Sequence, residues 1–306
     1  MEKILVFGHK SPDTDTICSS IVMADLQKKL RGAEVEACTL GEINEETKYA
    51  LKYFNVEMPK YIEKVEEGQT VILVDHNEFS QSVDGIENAK IDAVVDHHRI
   101  NNFQTAEPLF YYAQPVGCTS TIIFELYKSN NVVIEPKMAG LMLSAIISDT
   151  LLLKSPTTTQ KDRDAVTELA KVANVDIKTY GLEMLKAGTD LDKYTEDELI
   201  RLDAKKVEKE DIKYVIAQVN TVSIPDVLKR KAKIEQEMNK EILAKGLSLF
   251  VFVITDIVNS NSEAIVLGDR VDAISKEYEI KDNVAVMPGV VSRKKQVLPL
   301  VEKNIK

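Results

Sequence analysis

Tryptophan is absent from this sequence of 306 residues, and aromatic residues make up only 6% of it. Proteins that bind single-stranded nucleic acid stack bases on aromatic side chains and present basic surfaces, whereas this chain has a net charge of −10. The composition therefore argues against a nucleic-acid partner. No apolar run reaches the roughly 18 residues that a transmembrane helix needs, so we expect no membrane span.

Cysteine is also scarce. The three cysteines, Cys18, Cys38 and Cys118, are odd in number and lack paired spacing, which argues against a disulfide framework. The N-terminus, MEKILVFGHK, has no cleavable signal pattern and is typical of a β-strand. We therefore expect a cytoplasmic protein in a reducing compartment.

The negative charge is unevenly distributed along the chain. Up to Asp190 there are 19 basic and 29 acidic residues, whereas from Leu191 onward there are 20 of each. An acidic part followed by a neutral part would suit cation binding in the first and anion binding in the second. From composition alone, solvated surface charge is the simpler explanation.

Short apolar runs alternate with amphipathic stretches in the first part of the chain. Strands are predicted at Lys3–Phe7, Thr70–Asp75 and Ile91–Asp96. The predicted helices are Thr16–Leu30, Glu45–Phe54, Thr119–Lys128, Lys137–Ser148, Lys161–Ala173 and Ile177–Lys186. This alternation predicts an α/β fold with an open, mainly parallel sheet flanked by helices.

A looser, polar stretch at residues 188–195 predicts a linker between a first domain, residues 1–187, and a smaller α/β domain, residues 196–306. The second domain is predicted to contain the following elements: a helix at Glu196–Leu202 that Asp203–Lys206 closes, a strand at Lys213–Val219, a long helix at Pro225–Lys245, strands at Ser248–Ile257 and Glu263–Leu267, a helix near Val271–Tyr278, and bent strands over Asn283–Val301.

All four histidines lie within the first 98 residues: His9, His76, His97 and His98. Each follows the C-terminal end of a predicted strand, and each has aspartate beside it. In open α/β sheets, ligands bind beyond the carboxyl ends of the strands. One His–Asp pair would more often be a structural hydrogen bond, but three at one sheet edge favour a metal site.

Two aspartates, Asp13 and Asp15, share a turn with His9 in the segment GHKSPDTD. Capping of the following helix is the alternative explanation, but it requires only one carboxylate. Asp149 ends an apolar helix, where the helix dipole disfavours negative charge and a nearby cation would reverse that preference. The alternative is that the Asp149 side chain simply extends into solvent.

His97 and His98 are adjacent, and neighbouring side chains of an extended segment point to opposite sides. We therefore expect one to bind a metal and the other to face the substrate. Asp96 or His76 would fix the tautomer of the ligating ring.

The candidate ligands are His9, Asp13, Asp15, Asp75, His97 and Asp149. Imidazole and carboxylate without thiolate favour Mn²⁺ over structural Zn²⁺, and six ligands suit two ions about 3.5–4 Å apart.

Four segments resemble the motifs of the DHH phosphoesterase superfamily in this order and spacing: GHKSPDTD, ILVDHNE, VVDHHR and SDT. The second domain, with its basic segments DAKK and SRKKQ and its ending GVVSRKKQVLPL, resembles the C-terminal domain of the manganese-dependent (family II) inorganic pyrophosphatases. The resemblance covers essentially the whole chain. It implies a DHH domain and a smaller domain with a mixed sheet that close over a cleft, and a homodimer joined through the N-terminal domains.

The resemblance also implies residue roles. One ion would be bound by His9, Asp13 and Asp75, and the other by Asp15, Asp75, His97 and Asp149. The catalytic and substrate-binding residues would be His98, Lys205, Arg293 and Lys294, with Lys295 the less favoured match for the last. The cofactors would be two Mn²⁺ per subunit, with Co²⁺ as a substitute, and Mg²⁺ that arrives with the substrate.

The implied reaction is hydrolysis of inorganic pyrophosphate to two phosphates by a hydroxide between the two ions, with a Lys/Arg clamp from the second domain. The alternative is another DHH phosphoesterase, either a short-chain polyphosphatase or an oligoribonuclease. The nuclease branch usually ends in a GGGH-type motif, which this sequence lacks. A non-enzymatic phosphate- or metal-binding module is a third interpretation, which the complete set of candidate ligands disfavours.

Overall fold

The computed structural model of the chain describes residues 3–189, 191–209 and 212–305. The chain divides into two compact units, residues 1–188 and 189–306. Asp190, in the segment where we predict the linker, lies outside the described residues. None of the helices in the described ranges is both long enough and apolar enough to cross a bilayer.

A parallel sheet of six strands forms the centre of the first unit, in the order β3-β2-β1-β4-β5-β6. The strands are β1 Ile4–Phe7, β2 Val35–Thr39, β3 Lys60–Tyr61, β4 Thr70–Val74, β5 Lys90–Asp96 and β6 Phe110–Ala113. Every residue of β4 is buried, as expected for a parallel strand that is covered on both faces. The predicted α/β architecture is confirmed.

Six helices surround this sheet: α1 Thr14–Arg31, α2 Glu45–Tyr53, α3 Thr119–Ser129, α4 Pro136–Thr150, α5 Gln160–Ala173 and α6 Ile177–Ala187. Helix α4 is buried along most of its length, in agreement with its apolar sequence. Its Gly140 permits close packing, because a Cβ there would lie 2.3 Å from the Phe54 ring. The helices therefore pack into one core with the sheet.

A left-handed turn ends α4 directly after Asp149 and Thr150. Three consecutive leucines, Leu151, Leu152 and Leu153, have φ values of 47°, 54° and 64°. This conformation costs about 1–2 kcal/mol for each such residue. Backbone hydrogen bonds offset part of that cost, among them Leu152 N–H to Ile147 O at 3.0 Å. The turn fixes the helix end that presents Asp149.

The second unit has a mixed sheet in the order β11-β12-β10-β9-β8-β7, in which β8 and β9 are parallel and the other neighbours antiparallel. The strands are β7 Asp203–Lys209, β8 Ile212–Thr221, β9 Leu249–Asp256, β10 Asn261–Leu267, β11 Ile280–Lys281 and β12 Val284–Met287. The helices are α7 Glu196–Leu199, α8 Ile224–Leu228, α9 Lys231–Lys245, α10 Asp272–Ser275 and α11 Leu298–Asn304. Apolar cores cover both faces of this sheet, and the predicted mixed sheet is confirmed.

Two predictions near the start of the second unit are wrong. Asp203–Lys206 does not close a helix but begins β7, because all seven residues of that strand pair with β8. The single helix predicted over Pro225–Lys245 is interrupted before Lys231, where Arg230 adopts a non-helical conformation. The Arg230 guanidinium donates to the carbonyls of Leu191 and Tyr194. These long-range contacts override the local helical pattern.

The C-terminal segment is also different from the prediction. Strand β12 ends at Met287, and the remainder forms a π-helical turn at Arg293–Val297 followed by α11. Val297 and Val301 fill the core on one face of the sheet. Burial at this four-residue spacing explains why the segment is helical rather than extended.

Candidate metal centre

Three neighbouring strands end at the same edge of the first sheet. Because β1 pairs with β4 and β4 pairs with β5 in parallel, their carboxyl ends lie side by side. His9 follows β1, Asp75 follows β4, and His97 follows β5. Asp75 leaves its strand with φ of 59°, and its N–H donates to Val95 O at 2.9 Å. The sheet topology thus brings imidazoles to both sides of a central carboxylate.

The turn from β1 into α1 carries His9 and Asp13. Gly8 is required there, because a Cβ would lie 2.4 Å from Thr16 Cγ2. Asp13 caps α1 by accepting from Thr16 N–H at 2.9 Å through Oδ1. Its Oδ2 lies 3.5 Å from His9 Nε2. Asp13 can therefore cap α1 through Oδ1 and still offer Oδ2 to a metal ion.

Asp75 is the centre of the cluster and is 1% exposed. Its Oδ2 lies 3.5 Å from His9 Nε2, and its Oδ1 lies 3.4 Å from His97 Nε2. Thr16 and Thr119 donate their hydroxyls to the two oxygens at 2.6 and 3.1 Å. Burial alone would raise the pKa of Asp75, but the hydrogen bonds from the two histidines hold it well below its ordinary value.

Asp15 belongs to α1, and its carboxylate lies at the N-terminus of α3. It accepts hydrogen bonds from Thr119 N–H at 2.6 Å, from Ser120 N–H at 3.2 Å and from Ser19 Oγ at 2.6 Å. Backbone donors and the positive end of the helix dipole favour an anion there. Burial and the neighbouring charge of Asp75 nevertheless raise the pKa of Asp15 to about 7.

Asp149 does not extend freely into solvent. Its side chain is 19% exposed, and Oδ2 lies 3.6 Å from His97 Nε2. Burial, followed by repulsion from Asp15 and the other carboxylates, raises its pKa well above the ordinary value. A cation in the cluster would relieve this repulsion, as the position of Asp149 at the end of α4 suggests.

His97 and His98 do not point to opposite sides as expected for an extended segment: their ring centroids lie 4.2 Å apart, and His98 Nδ1 lies 3.6 Å from the same Asp75 Oδ1 that His97 Nε2 approaches. His97 Nδ1 lies 3.0 Å from Val116 O, so Nε2 is the nitrogen that faces the aspartates. His98 Nδ1 lies 3.0 Å from Asp96 Oδ1. Asp96 is buried, and its other oxygen accepts from Asn77 Nδ2 at 2.6 Å.

The structure revises the proposed orienting groups. A backbone carbonyl, that of Val116, orients His97, whereas Asp96 orients His98. His76 contacts Val74 O and Ser82 Oγ instead. Burial lowers its pKa to about 4, so His76 is a neutral structural residue at the end of β4.

The contacts define three overlapping groups whose potential ligand atoms lie within 4.8 Å of one another. They are His9, Asp13 and Asp75; Asp15, His97 and Asp149; and Asp75, His97 and His98. The first two groups contain all six candidate ligands. The donor set consists of imidazoles and carboxylates, and the carboxylates repel one another, so these residues fit divalent cations such as Mn²⁺. The third group shows that His98 is also close enough to contribute.

The basic residues singled out in the second unit lie around one face of its sheet. Arg293 opens the π-helical turn, and its Nη2 and Nε contact Asp203 at 2.7 and 3.2 Å. Lys205 shares the face of β7 with Asp203, because residues two apart in a strand point to the same side. Lys294 is exposed on the turn. The strand β7 thus places Lys205 near the Arg293 segment in a way that a helix would not.

Sequence reasoning missed the hydroxyl and amide donors around the aspartates, above all Thr16, Thr119 and Asn77. These residues are ordinary in the linear sequence. The one signal for Thr119 is its place at the start of a predicted helix, where backbone N–H groups point outward.

Comparisons with known proteins agree with this geometry. Residues 3–146 match the family model of the DHH family N-terminal domain, and residues 182–304 match the DHHA2 domain. The manganese-dependent inorganic pyrophosphatase of Bacillus subtilis (strain 168) is 54% identical over 304 residues, which is 98% of each chain. A chain from Exiguobacterium sp. to which the same activity is assigned is 56% identical over 98% of each chain. The crystal structure of a Methanococcus jannaschii chain assigned to the family II inorganic pyrophosphatases is similar, with a TM-score of 0.79 and 39% identity over 98% of each chain.

The central position of Asp75 generates a prediction. Asp75→Asn keeps the size of the side chain but removes the charge between the two histidines, so Mn²⁺ affinity should fall at least about tenfold, as is typical when a ligand environment is altered. Isothermal titration of metal-free protein with Mn²⁺ measures this affinity and the number of ions bound. Asp84→Asn, an exposed aspartate that pairs with Lys10, is the control. Unchanged stoichiometry and affinity in Asp75→Asn would mean that Asp75 is not a shared ligand.

Proposed function

The chain belongs to the manganese-dependent inorganic pyrophosphatases, and we propose that it hydrolyses inorganic pyrophosphate to two phosphates at the cluster around Asp75. The observation that carries this proposal is a cluster of six imidazole and carboxylate side chains, from three strand ends and two helix ends, with buried Asp75 at its centre. Only a site for more than one cation makes use of so many ligands.

We assign the ligands to two Mn²⁺ ions. One ion would be bound by His9, Asp13 and Asp75, and the other by Asp15, Asp75, His97 and Asp149. The contacts of Asp75 with both His9 and His97 support its sharing between the ions. The ions would supply a water molecule of lowered pKa and neutralise charge on phosphoryl oxygens. Co²⁺ would suit the same donor set as Mn²⁺, and Mg²⁺ would arrive with the highly charged substrate.

The chain's own residues then act on the substrate. The oxygen of a water molecule adds to one phosphorus and its proton passes to solvent, the bond from that phosphorus to the bridging oxygen breaks, and the bridging oxygen leaves with the second phosphate. Asp96 accepts a hydrogen bond from Nδ1–H of His98, and in the imidazolium form of the ring Nε2–H also donates, here to a substrate oxygen near the breaking bond. A fixed donor at that position stabilises the charge that develops as the bond breaks.

The basic residues of the second unit bind the phosphates in this proposal. They are Lys205, Arg293 and Lys294. Arg293 offers a planar fork that matches phosphate oxygens, and Lys205 and Lys294 add point charges. The contact of Arg293 with Asp203 restrains its guanidinium before substrate binds, which reduces the entropy lost on binding.

A reducing, cytoplasmic location is consistent with the cysteines. Cys18, Cys38 and Cys118 are all free and buried. Burial raises the pKa of Cys38 to about 12 and raises the pKa values of the other two thiols well above their ordinary value, so none is a reactive thiolate.

Substrate selectivity tests the proposed reaction. Phosphate release should be fast with pyrophosphate, slower with tripolyphosphate and absent with a dinucleotide, and it should require Mn²⁺ or Co²⁺ together with Mg²⁺. Faster hydrolysis of tripolyphosphate would favour a short-chain polyphosphatase. Cleavage of the dinucleotide would favour an oligoribonuclease, and no hydrolysis of any substrate would contradict the assignment of an enzyme.

Arg293 provides a second test. Arg293→Ala removes the guanidinium group proposed to bind the phosphate. The kcat/KM for pyrophosphate should therefore fall by about 10²-fold, while the Mn²⁺ content stays at the wild-type level. Steady-state kinetics and metal analysis of the same preparation separate the two effects. Lys303→Ala, which alters an exposed lysine of α11 that pairs with Glu277, is the control and should be close to wild type. Loss of metal in Arg293→Ala would contradict this role.

The oligomeric state is the remaining part of the proposal. We propose a homodimer formed through the first units, at the edge strand β6. This strand pairs on one side with β5 and ends the sheet, and an edge strand can pair with a second copy of itself across a two-fold axis. Exposed Phe110 and Leu30 line a groove beside it and add apolar surface.

Light scattering after size exclusion measures the mass and should give twice the 34.3 kDa of one chain. Phe110→Lys should shift the protein toward monomer. Tyr61→Lys, at the opposite edge of the same sheet, should leave the dimer intact. A monomeric wild type, or dissociation by Tyr61→Lys alone, would contradict the proposed interface.

A further inference from the structure

Glu46, on α2, joins the two helix ends that carry aspartate ligands. Its Oε1 accepts a hydrogen bond from Thr14 Oγ1 at 2.6 Å and another from Ser148 Oγ. Thr14 is the first residue of α1 and stands between two of the ligands, and Ser148 directly precedes Asp149 in α4. One carboxylate oxygen therefore connects two segments that are more than a hundred residues apart in the chain.

The surroundings of Glu46 offer little compensation for its charge. Burial raises the pKa of Glu46, and the hydrogen bonds from Ser148 and Thr14 only partly oppose this effect. Within the described ranges, no lysine, arginine or histidine forms an ion pair with it. Glu46 is half-buried, and a partly desolvated carboxylate without a cation costs stability. The carboxylate therefore requires an explanation other than charge pairing.

Glycine at position 188 leaves space for the Glu46 side chain. Gly188 follows α6 with φ −76° and ψ −12°, a conformation that alanine adopts without strain. A Cβ at that position would lie 3.0 Å from Glu46 Cβ and 3.1 Å from Oε2. The backbone conformation does not require glycine at position 188, but the Glu46 side chain leaves little space for a larger residue there.

We propose that Glu46 is a positioning residue for the metal centre, which sets the start of α1 against the end of α4 through Thr14 and Ser148. The Asp13–Asp15 turn and Asp149 come from these two helix ends and must approach one another to bind the same pair of ions. Glu46 itself lies outside the three ligand groups and acts only through its neighbours. This inference rests on the ligand assignment of the proposed function.

A positioning role and a charge role predict different results. Glutamine retains the carbonyl oxygen that accepts from both hydroxyls but lacks the charge, whereas alanine lacks both. If these hydrogen bonds fix the start of α1 relative to the end of α4, Glu46→Ala should weaken Mn²⁺ binding about tenfold, and Glu46→Gln should retain most of the wild-type affinity.

The measurement is isothermal titration of metal-free protein with Mn²⁺, after thermal unfolding of the metal-free variants has shown that they are folded. Glu45→Ala is the matched control, because Glu45 is the preceding residue of α2 and pairs with exposed Lys48. It should bind Mn²⁺ as the wild type does. Wild-type affinity in folded Glu46→Ala would overturn the proposal, and so would an equal loss in both Glu46 variants, which would identify a charge effect.

A further variant tests the same proposal even if Glu46→Ala does not fold. The double variant Thr14→Val and Ser148→Ala removes both donors with small changes of volume and leaves Glu46 in place. Its Mn²⁺ affinity should fall by the same factor as in Glu46→Ala, and unchanged affinity would contradict the proposal. Failure of the wild type to bind Mn²⁺ would instead contradict the ligand assignment, so the two failures are distinguishable.

Discussion

Repulsion among crowded carboxylates is the interaction on which the candidate metal centre depends. Four of them lie at one edge of the sheet: Asp15 and Asp75, which are buried, and Asp13 and Asp149, which are partly exposed. Burial and the neighbouring carboxylates raise the pKa values of Asp15 and Asp149. The backbone amides, hydroxyls and two histidines around the cluster therefore do not fully compensate its negative charge. Such crowding is costly unless cations bind, and binding of cations to the folded state alone then stabilises that state.

The fold supplies this arrangement by simple means. Parallel pairing places the ends of β1, β4 and β5 together, while the N-terminus of α3 and the end of α4 approach from the helical layer. Three of the candidate ligands have separate anchors: a helix cap for Asp13, helix amides for Asp15 and a backbone carbonyl for His97. Anchored ligands lose little freedom when an ion binds, which favours both affinity and reproducible geometry.

The histidines and Asp75 could be found from the sequence because each follows a strand whose apolar run is unambiguous, and Asp149 could be found because it ends an apolar helix. The strand β7 could not, since DAKK has no strong strand pattern and becomes extended only by pairing with β8. Glu46 could not be found either. Its partners Thr14 and Ser148 are 32 and 102 residues away, and nothing local indicates that their hydroxyls meet at its carboxylate. Local pattern thus identifies the ligands, whereas tertiary contacts determine what holds them.

If Asp75 is shared by two cations, anomalous diffraction from crystals grown with Mn²⁺ will locate both of them. The expected result is two manganese peaks about 3.5–4 Å apart, with the Asp75 carboxylate in contact with both. A single peak, or two peaks of which Asp75 contacts at most one, would contradict it.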